Sequence, residues 1–79
     1  MTSVAEIFGQ NIADLLNTES KQRAAMDIYR AIEQAKGADA AREWMIDRNP
    51  DLKNAAPIRL IAWDCVNEVA FAAHTYLGK

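Results

Sequence analysis

Apolar residues stand at Val4, Ile7, Phe8, Ile12, Leu15 and Leu16, the three-and-four spacing that keeps side chains on one face of a helix. This spacing predicts a first amphipathic helix over residues 4 to 17. Ser3 with Glu6 three positions on is a capping-box pattern, in which each side chain accepts a backbone N–H that has no partner inside the helix. Gly9 falls within the stretch and weakens it by about 1 kcal/mol relative to alanine. Thr18 can cap a second helix whose face reads Ala25, Ile28, Tyr29, Ile32 and Ala35. Lys36-Gly37 supplies its stop.

A third, shorter helix carries Ala41, Trp44 and Met45 on one face and must end by Asn49, because Pro50 disfavours helical geometry in the residue before it. Asn49-Pro50-Asp51-Leu52-Lys53-Asn54 is dense in turn-forming residues, and Pro57 fits the first position of a further helix. From Ile58 a helical face runs through Ile61, Ala62, Cys65, Val69, Ala72, Ala73 and Tyr76. Asp64 can cap a new helix midway, so a break near Asp64 is favoured over one long helix. No segment alternates with period two as a strand would. The pattern predicts an all-α, self-associating bundle of four or five short helices, with Ile28, Ile32, Trp44, Leu52, Ile61 and Val69 in one core.

At 79 residues with 51% hydrophobic content, the chain makes one domain with a thin core, since a domain this small buries only ~60% of its unfolded surface. Nine Lys and Arg against eleven Asp and Glu, with the basic residues scattered singly, give no stripe to follow a phosphate backbone. Strong direct DNA binding is therefore not expected. The lone cysteine, Cys65, excludes an intrachain disulfide and a multi-cysteine metal site and suits a cytoplasmic location. No apolar run reaches the ~20 residues of a membrane span, and the start of the chain does not read as a signal peptide.

Candidate chemistry is sparse. Cys65 and His74, nine positions apart, point in opposite directions on a helix, so neither an enzyme nor a cofactor site is expected. Cys65 reads as core packing, and His74 as a surface or interface group. Asp39, Glu43 and Asp47 form an acidic stripe diluted by Arg42 and Arg48, most simply a solvated face. More informative is a second apolar side after Pro57, made by Leu60, Trp63, Ala70 and Phe71. A helix apolar on two sides must bury both, either inside the domain or against a partner. Trp63 and Phe71 are the expected anchors.

Ala41-Arg42-Glu43-Trp44-Met45, then Asn49-Pro50-Asp51-Leu52, then Pro57-Ile58-Arg59-Leu60-Ile61 resembles the toxin-binding domain of the Xre/MbcA/ParS antitoxins. That pattern has an Ala-x-x-Trp-Leu step, an Asn-Pro-x-Leu turn and a Pro-Leu-x-Leu-Leu helix start. The resemblance covers residues 23 to 79 and leaves 1 to 22 as an N-terminal helix. Three departures stand out: Lys53-Asn54 replaces a usual glycine pair, Ala56 stands where Thr or Ser often caps the next helix, and Asp64-Cys65-Val66-Asn67 replaces a Glu-Glu-Gly-like break before the last helix. The resemblance implies a cognate toxin as partner, often an enzyme that consumes NAD, and neutralisation by stoichiometric binding. In such complexes the C-terminal end reaches toward the toxin's active site, which singles out His74, Tyr76, Leu77, Gly78 and Lys79. The alternative is a small dimeric regulatory or phage-encoded helical protein that uses the same fold for another partner.

Overall fold

The computed structural model describes residues 3 to 78. Six α-helices and one 3-10 turn follow one another, and among the described residues the only strand-like feature is one isolated bridge between Asn49 and Ala55. The fold is the expected all-α bundle. It has more helices than expected because the first amphipathic stretch is two helices, α1 (Val4–Phe8) and α2 (Gln10–Leu15). Gly9 separates them with φ 94° and ψ 164°, a region essentially closed to other residues. The apolar spacing runs through Gly9 in phase, so periodicity alone hides the bend. Ser3 caps α1 as expected, its hydroxyl accepting the Glu6 N–H at 3.3 Å.

Thr18 likewise caps α3 (Glu19–Lys36), accepting the Lys21 N–H at 3.3 Å. This helix buries Ala25, Tyr29 and Ile32, whereas Ile28 is half-buried and Ala35 is exposed. Gly37 ends α3 and begins α4 (Ala38–Ile46) with φ 97° and ψ 164°. Through it α4 folds back on α3 and buries Ala41 and Met45. Trp44 is half-buried and not in the core as expected.

The turn after α4 is tightly tied. The Asn49 side chain accepts the Asp51 N–H at 2.9 Å, capping the 3-10 turn Pro50–Leu52. Asn49 also donates its N–H to the Ala55 carbonyl at 3.1 Å, while its own carbonyl accepts from Asn54 at 2.9 Å. Lys53 and Asn54 both take left-handed backbone, φ 58° and 65°. Leu52 points from this loop into the core.

Pro57 opens α5 (Pro57–Ala62), whose residues are buried except Arg59. A break then precedes α6 (Val66–Tyr76), though Asp64 does not cap α6. Asp64 is left-handed, φ 65°. Its N–H bonds the Ile61 carbonyl at 3.1 Å and the Cys65 N–H bonds the Leu60 carbonyl at 2.8 Å, the paired bonds of a Schellman stop. Asp64 therefore ends α5, and Cys65 stands at the N-terminus of α6 without a side-chain cap. Cys65 is half-buried, contrary to the core role expected of it, and its thiol donates to the Trp63 carbonyl at 3.7 Å.

One cluster from Val4 to Ala73 forms the core, and α5 lies at its centre with Ile58 and Ile61 almost fully enclosed. No polar or charged residue among those described is buried in it. No helix is long and apolar enough to cross a membrane.

Candidate functional site

The core residues of α6, Val69, Ala72 and Ala73, turn the opposite face outward, and Phe71 lies near the middle of that face. Its side of the helix also carries Asn67, His74 and Thr75, all exposed. Phe71 is 76% exposed, a large apolar ring left in water by a helix whose other face is satisfied. Thr75 donates its hydroxyl back to the Phe71 carbonyl at 3.2 Å.

Across from Phe71 stands the tied loop of residues 49 to 55. Between them runs an open groove of about 750 Å³, with Leu52, Ala55, Leu60, Phe71 and Ala72 as its apolar lining and Asp51, Lys53 and Glu68 as charged members. Leu60 was expected on a partner-facing side. It is buried because α5 is enclosed on almost every side, and it contributes only to the groove floor. The structure thus brings Leu60 and Phe71 to one site. Trp63 is not among the groove residues. It sits where the Schellman stop turns the chain out of α5 and is 63% exposed.

The C-terminal candidates separate in the same way. Tyr76, expected on the core face, is 40% exposed. Its ring stacks on Trp44 with centroids 5.7 Å apart and an interplanar angle of 26°, so Trp44 packs on the last helix. The Lys36 ammonium lies 5.4 Å from the Tyr76 ring centroid, a cation over an aromatic face. This stack borders a second, smaller concavity together with Glu43, Asp47, Arg48 and Asp51. Asp51 lines both depressions.

Leu77 is not free to meet a partner with its whole side chain, since it is half-buried against the core. The helix ends there because the Leu77 N–H returns to the Ala73 carbonyl at 2.9 Å and the Gly78 N–H to that of Thr75 at 3.1 Å. Lys79 lies outside the described residues. Comparison of the chain with protein-family models, with curated proteins and with solved structures found no match.

Two residues that matter here gave no functional signal in the sequence. Asp51 read only as part of a turn, and Glu68 was not singled out by any pattern. Helical periodicity places residues around one axis, whereas the groove joins a loop to a helix from separate parts of the chain. The pKa of Tyr29 is raised, by burial first and then by the Glu33 carboxylate. Its hydroxyl donates to Glu33 Oε2 at 3.2 Å. Tyr29 also meets Phe8 edge-on at 5.7 Å, a core role away from the groove.

Proposed function

We propose that this chain is a protein-binding module of the antitoxin kind, which neutralises a cognate bacterial toxin by stoichiometric occupation and has no catalytic activity of its own. The observation that carries the reading is Phe71, 76% exposed beside a groove with an apolar lining. An exposed aromatic ring continuous with an apolar groove makes the kind of patch that marks a protein-binding site. The family resemblance gains support at its weakest point. Lys53 and Asn54, which stand in place of a glycine pair, both have positive φ, so the departure is one of residue type and not of backbone path.

On this reading the chain acts in the bacterial cytoplasm, and its partner is a toxin such as an NAD-consuming enzyme. Trp63, on the separate exposed corner, supports association of the chain with itself. The deciding experiment co-expresses the chain with the protein encoded by the adjoining reading frame. Growth arrest by that protein alone, relieved by the wild-type chain and not by Phe71→Asp, is the expected result. An adjoining product that is harmless, or that does not bind the purified chain, refutes the reading. Sedimentation separates the second element: Trp63→Ala shifts the chain toward monomer, and a wild-type chain already monomeric at high concentration removes self-association.

A further inference from the structure

We infer that the groove beside Phe71 and the concavity beside the Trp44–Tyr76 stack form one continuous docking face for a basic amphipathic segment of a partner protein. The apolar face of the segment lies on Leu52, Leu60 and Phe71, and its Lys or Arg side chains meet the carboxylates around Asp51. The two depressions share Asp51, so one segment can enter both.

Charge identifies the occupant. Glu43, Asp47, Asp51 and Glu68 line the two depressions against Arg48 and Lys53, leaving two net negative charges. The whole chain has a formal charge of -2. The remaining charged residues, seven of each sign, cancel, but one of those cations, Lys36, lies beside the face over the Tyr76 ring, so one net negative charge remains there. Among the described residues its carboxylates make no ion pair; the one found there is Arg23 with Glu19, 3.1 Å apart and elsewhere on the surface. A second copy of the chain is a poor occupant, because a two-fold contact sets the same face against itself and opposes like charges.

The walls suit a preformed site. On one side the loop of residues 49 to 55 is tied by bonds of 2.9 Å and 3.1 Å through Asn49. On the other, α6 is anchored by Val69 and Ala72 in the core. Binding here orders the guest and leaves the host largely unchanged.

The inference rests on the protein-binding reading, but its test needs no toxin. The full chain is titrated, near physiological salt, with two synthetic amphipathic helices followed by fluorescence anisotropy. One is built of Leu and Lys, and in the other every Lys is replaced by Glu. The Leu/Lys helix is expected to bind at least about tenfold more tightly than the Leu/Glu helix. Phe71→Asp, and the double variant Asp51→Lys/Glu68→Lys, should each weaken it by about tenfold or more. Glu6→Lys/Asp27→Lys applies the same charge change away from the face and should leave binding nearly unchanged. All the substituted side chains are exposed, and circular dichroism verifies that each variant keeps its helices.

Equal binding of both peptides, full binding by Phe71→Asp, or an equal loss in the distant variant overturns the inference. So does absent peptide binding combined with self-association that Phe71→Asp abolishes, since a second copy then owns the groove. The growth assay separates the two levels of the argument. If Asp51→Lys/Glu68→Lys still relieves growth arrest in full, the docking face is wrong and the antitoxin reading stands. If the peptides behave as expected and the adjoining product proves harmless, the antitoxin reading fails alone.

Discussion

Replacing Gly37 with alanine isolates the energy of one backbone conformation, because a Cβ built there meets nothing within 4 Å. Any cost is conformational and not a clash. The residue sits at φ 97° and ψ 164° between α3 and α4, in the region where a side chain costs about 1 to 3 kcal/mol. Alanine returns about 0.4 to 1 kcal/mol by restricting the unfolded chain. The net loss is about 1 to 2 kcal/mol, and for a domain of this size each kcal/mol moves the midpoint by about 4 to 8 °C. Gly37→Ala should therefore melt about 5 to 15 °C lower by circular dichroism. Its urea midpoint should fall while the slope of the transition is unchanged. Gly37→Asn sharpens the test: asparagine tolerates the left-handed helical well, but the ψ of 164° is far from that well, so it should be no better than alanine. A Gly37→Ala protein that melts at or above the wild-type temperature would show that the α3–α4 junction does not hold this conformation.

Alkaline pH should unfold the protein partly through Tyr29. Its folded pKa is raised by burial and by Glu33, so its contribution is complete below the unfolded value near 10 and is lost as pH rises through the folded value. Tyr29→Phe should flatten the fall in stability above about pH 10, and an unchanged pH profile would remove Tyr29 as its source. Trp44→Ala should cost about 1.5 to 3 kcal/mol in urea denaturation, below the 3 to 5 of a fully buried ring. A double-mutant cycle with Tyr76→Ala should return about 0.5 to 1.5 kcal/mol for the stack, and a coupling of zero would dissolve it. Removing Leu77, Gly78 and Lys79 together should cost about 1 kcal/mol, from the half-buried Leu77 side chain. Removing Gly78 and Lys79 alone should leave the melting temperature unchanged, and equal losses for the two truncations would contradict the packing of Leu77.

Where structure is decided by neighbours in sequence, it was legible there. Ser3 and Thr18 cap the helices they were expected to cap, α4 ends before Asn49 as expected, Asn49 caps the turn that follows and Pro57 opens α5. Each is a choice between hydrogen-bonding partners within a few residues. Gly9 and Asp64 were misread for a common reason. Apolar periodicity reports which side chains share a face and is silent on whether the backbone between them bends, so a glycine hinge in phase with the pattern goes unseen. At Asp64 the residue type suited a helix start, and the geometry used it as a helix end. Tyr76 and Leu60 were misplaced because exposure depends on the elements that arrive from elsewhere. Phe71 and Trp63 were legible as anomalies, since they lie opposite apolar positions on the same stretch. The groove was not, because its other wall is a loop whose path no local pattern encodes.

The core has no buried polar or charged side chain among the described residues. Apolar contacts tolerate changes that keep volume and pattern, so little in the interior besides shape and the Tyr29 contacts fixes how the helices are joined. The information that selects a single arrangement sits instead at the joints, in the bends at Gly9 and Gly37, the loop tied through Asn49 and the stop at Asp64. Interior residues of such a protein should accept others of equal bulk at modest cost. Its joints should resist replacement, although they bury little and touch few neighbours.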